Sequence, residues 1–324
     1  MSVSSDATPP AEVEIDAALV RALLRAQQPE LAELPIGDRY EGWDNVTFRL
    51  GDTWAVRLPR RALGATNLAQ EIDWLPRISE NWTFAAPIPW VRGAPGEGFP
   101  WVWAVVPWIE GRPVYESPFH SLGARHLGRA LAEIHQPIEI ETPINPFRSV
   151  SLAQRAERLD CRLAVLEEKH RGHIAGGDAR RIYSRGSLVP CEEFTWAHLD
   201  LHGGNVLTLN GAFAGIIDWG DAAAGDPATD LGQVLTLVGR RRFRDVVRGY
   251  ADAGGAAASR SSLSEQTARR VEAEAVGYAV TLASMTDPTH GVAGWRALTD
   301  LGFADGVPDE VLESAGITND QGAA

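Results

Sequence analysis

Three side chains at set intervals carry the chemistry open to this chain. Asp200 is followed closely by Asn205 and, beyond a short apolar stretch, by Asp218. A phosphoryl group in transfer spreads negative charge over its oxygens, so catalysis rests on positioning and on cations rather than on covalent work by the protein. Asp200 suits accepting or orienting the proton of an acceptor hydroxyl. Asn205 offers a neutral amide oxygen and Asp218 a carboxylate, both hard ligands fitted to magnesium, which keeps waters and bridges phosphates. Gly203 and Gly204 let the turn between them tighten.

Elements must hold these groups. Val206–Leu209 and Ala212–Ile217 read as two short strands joined by Asn210-Gly211, a hairpin that hangs Asn205 and Asp218 at neighbouring ends. Upstream, Glu41–Leu50 and Thr53–Leu58 read as strand, Gly51-Asp52 turn, strand, followed by a helix from Asn67 to Ile78. Pro100–Val106 is a compact apolar run fit for a buried strand, leading into Pro107-Trp108-Ile109-Glu110-Gly111.

The interval from Asp200 to Asn205 is that of the protein-kinase catalytic loop H-R-D-x-x-x-x-N. Taken with Ile216-Ile217-Asp218-Trp219 and Gly225-Asp226-Pro227-Ala228-x-Asp230-Leu231, the stretch His198–Leu207 resembles the aminoglycoside phosphotransferase (APH) family of small-molecule kinases, over roughly Tyr40 to Gly239. The resemblance implies an α+β, two-lobed protein-kinase-like fold, with an N-terminal antiparallel sheet plus helix lobe and a mainly helical C-terminal lobe. It implies Asp200 as catalytic residue, Asn205 and Asp218 as Mg2+ ligands, Asp230 as a buried brace for the loop and His198 as structural. ATP or GTP would be the phosphate donor. In the reduced phosphate loop, Asn45 and Thr47 would face the phosphates. The kinase scheme wants a strand lysine; the single lysine, Lys169, lies in a polar helical stretch, so Arg57 takes that role, with Glu71 its helix partner. Trp108 and Ile109 would sit beside the purine at a hinge. Two departures mark this chain: Leu199 stands where the family usually has Gly, and Gly203 where Pro is common.

Length and composition agree with two lobes. At 324 residues the chain exceeds the size at which single cores stop growing, and its hydrophobic fraction of 44% is that of a packed globular protein. The expected organisation is a disordered 1–10, a nucleotide clamp over 11–109, a C-terminal lobe over 110–317 and a tail over 318–324. No apolar run approaches a membrane span, and the polar, acidic start lacks a signal peptide's order, so a cytoplasmic protein, monomer or homodimer, is expected. A net charge of −13 argues against nucleic acid as a partner, and Arg240–Arg244 reads as a solvated basic face. The two cysteines, Cys161 and Cys191, read as reduced structural thiols.

Past residue 120 the pattern is helical. Ser121 is expected to cap a helix ending at His135-Gln136-Pro137, with further helices over 152–171, 229–238, 242–253, 264–285 and 291–301, and Gly176-Gly177 in a connection. The resemblance places acceptor specificity on these helices, with Asp221, Glu272, Glu274, Asp287, Asp300 and Trp295 as candidates, the carboxylates for amines and the indole for a sugar. The acceptor expected first is an aminoglycoside, drawn by an acidic cleft; a macrolide, sugar or amino alcohol is the alternative. Two other classes stand beside the kinase. One is a metal-dependent hydrolase built on His198-x-Asp200-x-His202; the other is a catalytically silent nucleotide-binding module.

Overall fold

The computed structural model describes residues 9–317. They form two compact units, residues 9–111 with 214–221, and residues 112–213 with 222–317. The ends at 1–8 and 318–324, where disorder is expected, lie outside the described residues.

The first unit is a sheet clad by two helices. Helix α1 (Ala17–Gln27), capped by the Asp16 carboxylate on the Leu19 N–H, precedes β1 (Ile36–Glu41), β2 (Asn45–Leu50) and β3 (Trp54–Pro59). Helix α2 (Ala62–Ile78), β4 (Val91–Gly93) and β5 (Trp103–Pro107) complete it. The sheet runs β1-β2-β3-β5-β4 and is antiparallel throughout. The single strand expected from Glu41 is in fact two, because Gly42-Trp43-Asp44 turns the chain, and ahead of them helix α1 carries a buried apolar stripe of Val20, Leu23 and Leu24. Strand alternation sorts the core. Val56, Leu58, Trp103 and Val105 face Val20, Leu23 and Leu24 of α1, while Ala55, Ala104 and Val106 face Leu68 and Ile72 of α2.

The second unit is mainly helical. It begins with β6 (Arg112–Pro113), α3 (Ser121–Ile134), α4 (Leu152–Lys169) and α5 (Gly176–Ser187). The strands β7 (Thr195–Ala197), β8 (Val206–Leu209), β9 (Ala212–Ile216) and β10 (Ala223–Gly225) follow. Strand β9 carries the chain into the first unit from residue 214 onward. Then come α6 (Pro227–Asp252), a short β11–β12 pair (Ala258–Ser259, Ser262–Leu263), α7 (Glu265–Ala283), α8 (Pro288–Asp300) and α9 (Asp309–Ser314). Helix α6 packs against α3 and α7.

Several local expectations shift. The cap of α3 is His120, whose Nδ1 accepts the Gly123 N–H at 2.9 Å, while Ser121 Oγ donates to Asp245. Gly176 opens α5 rather than a connection. The two helices expected after Asp226 are one merged span broken at Gly239, where φ is 72°. Asn210 and Gly211 both have positive φ, 52° and 77°, as a primed hairpin turn requires. Cys161 and Cys191 are free, and Cys161 is exposed rather than packed. No helix of the described residues is long and apolar enough to cross a membrane.

Candidate active site

The first unit builds one half of the candidate residues. On β3, Arg57 falls on the same sheet face as Ala55, toward α2. Glu71 lies in the buried α2 stripe Leu68, Glu71, Ile72, Leu75, so helical spacing delivers a carboxylate to that face. The two form a buried ion pair, and Arg57 Nη2 also donates to Asp218 Oδ1 at 3.1 Å. Burial pushes the Glu71 carboxyl up to about 7 against the pull of Arg57, with the Asp218 charge adding to the push. For Arg57, burial is outweighed by Glu71 and Asp218, and its pKa is raised. The segment bearing Asp218 is pinned to this unit. Ile216 N–H donates to Ala85 O at 3.2 Å, and the Trp219 ring lies 4.6 Å from Trp82. Asp218 itself has φ of 63°.

Asn45 and Thr47 share β2. Asn45 is buried opposite Pro59, and half-buried Thr47 stands opposite Arg57. Asp44, in the turn before them, accepts from Arg61 and Asn67, tying the turn to the start of α2. Trp108 is fixed by its N–H on Thr53 O at 2.8 Å, with the Arg49 guanidinium 5.0 Å from its ring centroid and Tyr40 on it at 5.5 Å. Half-buried Ile109 follows it.

The second unit holds the loop from His198 to Asn205. Its backbone is braced from α6. Fully buried Asp230 accepts the N–H groups of His198 at 2.8 Å and Leu199 at 2.7 Å, and His135 Nε2 approaches the same carboxylate at 3.2 Å, backed by Tyr250. One turn on, Gln233 accepts from Leu201 N–H and donates to Leu199 O, at 2.8 and 2.9 Å. Burial raises the Asp230 carboxyl, but the His135 hydrogen bond and charge, with His198, overcome it and hold the pKa below the ordinary value. Asn205 Nδ2 donates to Asp200 O at 2.9 Å, closing the loop and directing the amide oxygen away from that bond. Asn205 in this unit offers an amide oxygen, and Asp218 in the first unit a carboxylate whose side chain is 48% exposed; each is by itself a hard donor of the type magnesium takes.

These braces explain the first departure. Leu199 has φ of 67°, a left-handed conformation that favours glycine. Its side chain is completely buried against Ala197 and Ala223, so apolar packing offsets the backbone cost. The second departure has a steric cause. A Cβ at Gly203 would lie 2.2 Å from Tyr115 Cδ1, so Tyr115 occupies the place that a proline ring would take.

Asp200 has company that spacing did not reveal. Arg148 Nη2 donates to Asp200 Oδ1 at 2.8 Å, and His202 Nε2 lies 3.9 Å from Oδ2. Burial alone would raise the Asp200 carboxyl; Arg148, His202, His198 and His290 reverse this, and its pKa is lowered. Arg148 sits on a loop shaped by Asn145, whose Oδ1 accepts the Phe147 and Arg148 N–H groups. The sequence signal was that Asn145-Pro146 turn; its partner 52 residues away was not legible.

The acceptor candidates scatter. Glu274 is buried, paired with Arg155 and accepting from Thr229 at 3.1 Å, which makes it a packing group and not an amine ligand. Trp295 is fully buried with its ring against His170, out of reach of a sugar. Glu272 pairs with Arg240 at 3.1 Å and Asp300 accepts the Arg240 N–H at 2.7 Å. Asp287 caps α8 and holds His290 Nδ1 at 2.8 Å. Asp221 lies half-buried at the end of the Asp218 segment, in the first unit. The hydrolase box does not form: His198 is buried with Nδ1 taking the Asp200 N–H at 3.3 Å, and among the described residues no three His, Cys, Asp or Glu are grouped to hold a metal.

An antiparallel sheet with a buried strand Arg–helix Glu pair, and a helical unit presenting a braced Asp-x-x-x-x-Asn loop, define a kinase-like phosphotransferase. Comparison with known families makes this specific. The chain belongs to the phosphotransferase enzyme family APH, whose profile matches residues 39–270. It is similar in fold to the GDP complex of aminoglycoside 2'-phosphotransferase-IIIa, with TM-score 0.64 at 18% identity, over 89% of this chain and 99% of that one. It is similar also to macrolide 2'-phosphotransferase type I, with TM-score 0.55 at 20% identity, over 98% and 100%. A third likeness is the macrolide 2'-phosphotransferase MphH apoenzyme from Brachybacterium faecium, with TM-score 0.53 at 20% identity, over 87% and 98%. No curated protein sequence matches the chain.

Proposed function

We propose that this phosphotransferase moves the γ-phosphate of ATP or GTP, with Mg2+, to a hydroxyl of a small molecule. The observation that carries the reading is the buried Arg57–Glu71 pair extended to Asp218, which fixes a cation and a metal-type carboxylate on one unit. Nucleotide use is supported by the fold neighbours solved with GDP, ADP and ATP. In this reading Arg57 orients the phosphates and Asn45 and Thr47 lie along them, while Trp108 and Ile109 flank the base. Asn205 and Asp218 would hold the magnesium, which supplies charge neutralisation on the phosphate oxygens. Asp200 takes or orients the acceptor proton; its depressed pKa keeps it ionised for that task. Among acceptors, aminoglycosides and macrolides are suggested by the neighbours, some of which are complexes with kanamycin or gentamicin; a sugar or amino alcohol is the further alternative. The protein is proposed to act in the cytoplasm, as a monomer or homodimer.

The test is magnesium-dependent phosphate transfer from ATP and GTP to aminoglycosides, macrolides, sugars and amino alcohols, with Asp200→Asn as control. Loss of turnover with nucleotide affinity intact is the expected result. Undiminished turnover in Asp200→Asn would remove Asp200 from its assigned role. Nucleotide binding with no product from any acceptor would favour the silent module.

A further inference from the structure

The surroundings of Asp200 within the second unit are not those of a polycation site. Beside the loop lies a cavity of about 150 Å³, lined by Leu201, His202 and Gly203, by Val114 and Tyr115, and by Leu237, Leu282 and Ala293 from the three helices α6, α7 and α8. Its charged wall residue is Arg296, exposed, with no hydrogen bond or ion pair among the described residues. Among the described residues no carboxylate lines it. The acids that could serve ammonium groups are engaged elsewhere: Asp287 by His290, Glu272 and Asp300 by Arg240, Glu274 by Arg155. Arg148 pairs with Asp200, and its neighbours in the chain Ile144 and Phe147 are 64% and 66% exposed. Asp200 is thus paired with one guanidinium, and the loop that carries it borders a cavity whose wall joins apolar side chains to the polar groups of Tyr115, Thr236 and Tyr278 and holds a second guanidinium.

We propose that the acceptor is an uncharged or anionic hydroxyl compound with an apolar body, and that polyamines are selected against, with Arg148 and Arg296 as the discriminating residues. This rests on the phosphotransferase reading. The apolar body fills the cavity against Val114, Leu237, Leu282 and Ala293, while its hydroxyl faces Asp200. An acceptor ammonium close to a guanidinium would be repelled, with no carboxylate among the described residues of the cavity wall to offset it. The same cation costs a neutral acceptor nothing and attracts an anionic one.

The experiment uses the full chain with magnesium and a non-hydrolysable ATP analogue, and measures by calorimetry the binding of three probes: kanamycin, phenyl β-glucoside and its uncharged-to-anionic counterpart, phenyl β-glucuronide. Both phenyl glycosides are expected to bind at least about tenfold tighter than kanamycin, a difference of one decade in Kd. Arg296→Glu should weaken the glucuronide and strengthen kanamycin, by about tenfold each. Ala293→Trp, which fills the cavity, should weaken both phenyl glycosides while thermal unfolding reports that the variant is folded. Tighter binding of kanamycin, indifference of all probes to both substitutions, or no binding of either phenyl glycoside at millimolar concentration would overturn the assignment. Failure of the analogue itself to bind is a separate outcome: it would strike the nucleotide-dependent reading on which the inference rests.

Discussion

Leu199 lets backbone strain be weighed against packing at one residue of the catalytic loop. Its φ of 67° costs an L-residue about 1–2 kcal/mol relative to glycine. Its buried side chain, if cut to alanine, forfeits about 2–5 kcal/mol. Going from alanine to glycine at an ordinary buried position removes one more methyl group, about 0.8 kcal/mol, and adds about 0.5–1 kcal/mol of backbone entropy. At Leu199 the relief of strain cancels that loss, so Leu199→Gly and Leu199→Ala should be equally stable to within about 0.5 kcal/mol. Leu201 is the internal control: equally buried, on the same loop, and without a positive φ. There the glycine variant should fall about 1.5 kcal/mol below the alanine variant. Urea unfolding of the four variants, followed by far-UV circular dichroism, reads the difference directly. A glycine deficit at position 199 as large as that at 201 would show that the left-handed conformation stores no strain.

Three further outcomes are expected. Asp230→Asn turns one of two accepting oxygens into an NH2 facing a backbone N–H and should cost about 2–4 kcal/mol in urea unfolding; because the folded carboxyl is held below its ordinary 3.8, the advantage of wild type should be full above that pH and vanish as the pH falls well below it. Glu71 behaves oppositely. Its carboxyl rises from 4.5 to about 7 on folding, so the folded state binds the extra proton and this group's contribution to stability declines as pH climbs through that window; Glu71→Gln should flatten the slope, worth on the order of 3 kcal/mol, in pH-dependent thermal unfolding. Gly203→Ala should destabilise by about 1–3 kcal/mol through collision with Tyr115, and adding Tyr115→Ala should recover most of it in a double-mutant cycle; independent, additive effects would mean that the ring does not occupy that space.

The sequence was informative where local rules act alone. The Asn210-Gly211 hairpin, the Gly51 turn and the catalytic-loop interval each depend on neighbouring residues, and they are legible for that reason. Arg57 and Glu71 could be paired from strand alternation and helical spacing once the sheet face was known. The rest depended on distant partners. Arg148 reaches Asp200, Tyr115 fills the space over Gly203, and Arg155 neutralises Glu274, none of which leaves a periodic signal. Acidic residues on the late helices looked available to amines because the sequence shows charge but not who already holds it. Trp295 shows the same blindness for an aromatic, since a full burial of its indole is a matter of packing.

The Asp218 segment belongs to the first unit although it is encoded long after it. Arg57 and Asp218 are 161 residues apart, and Trp219 covers Trp82 across a comparable interval. During synthesis the sheet therefore leaves the ribosome with a bare indole and an incomplete charge set. At about 5–20 residues per second, the wait for its last segment is on the order of ten seconds. Through that interval the sheet carries apolar surface of the kind chaperones cover, and a gene fragment ending at the last strand of the sheet would encode a protein that never receives its Trp219 and Asp218.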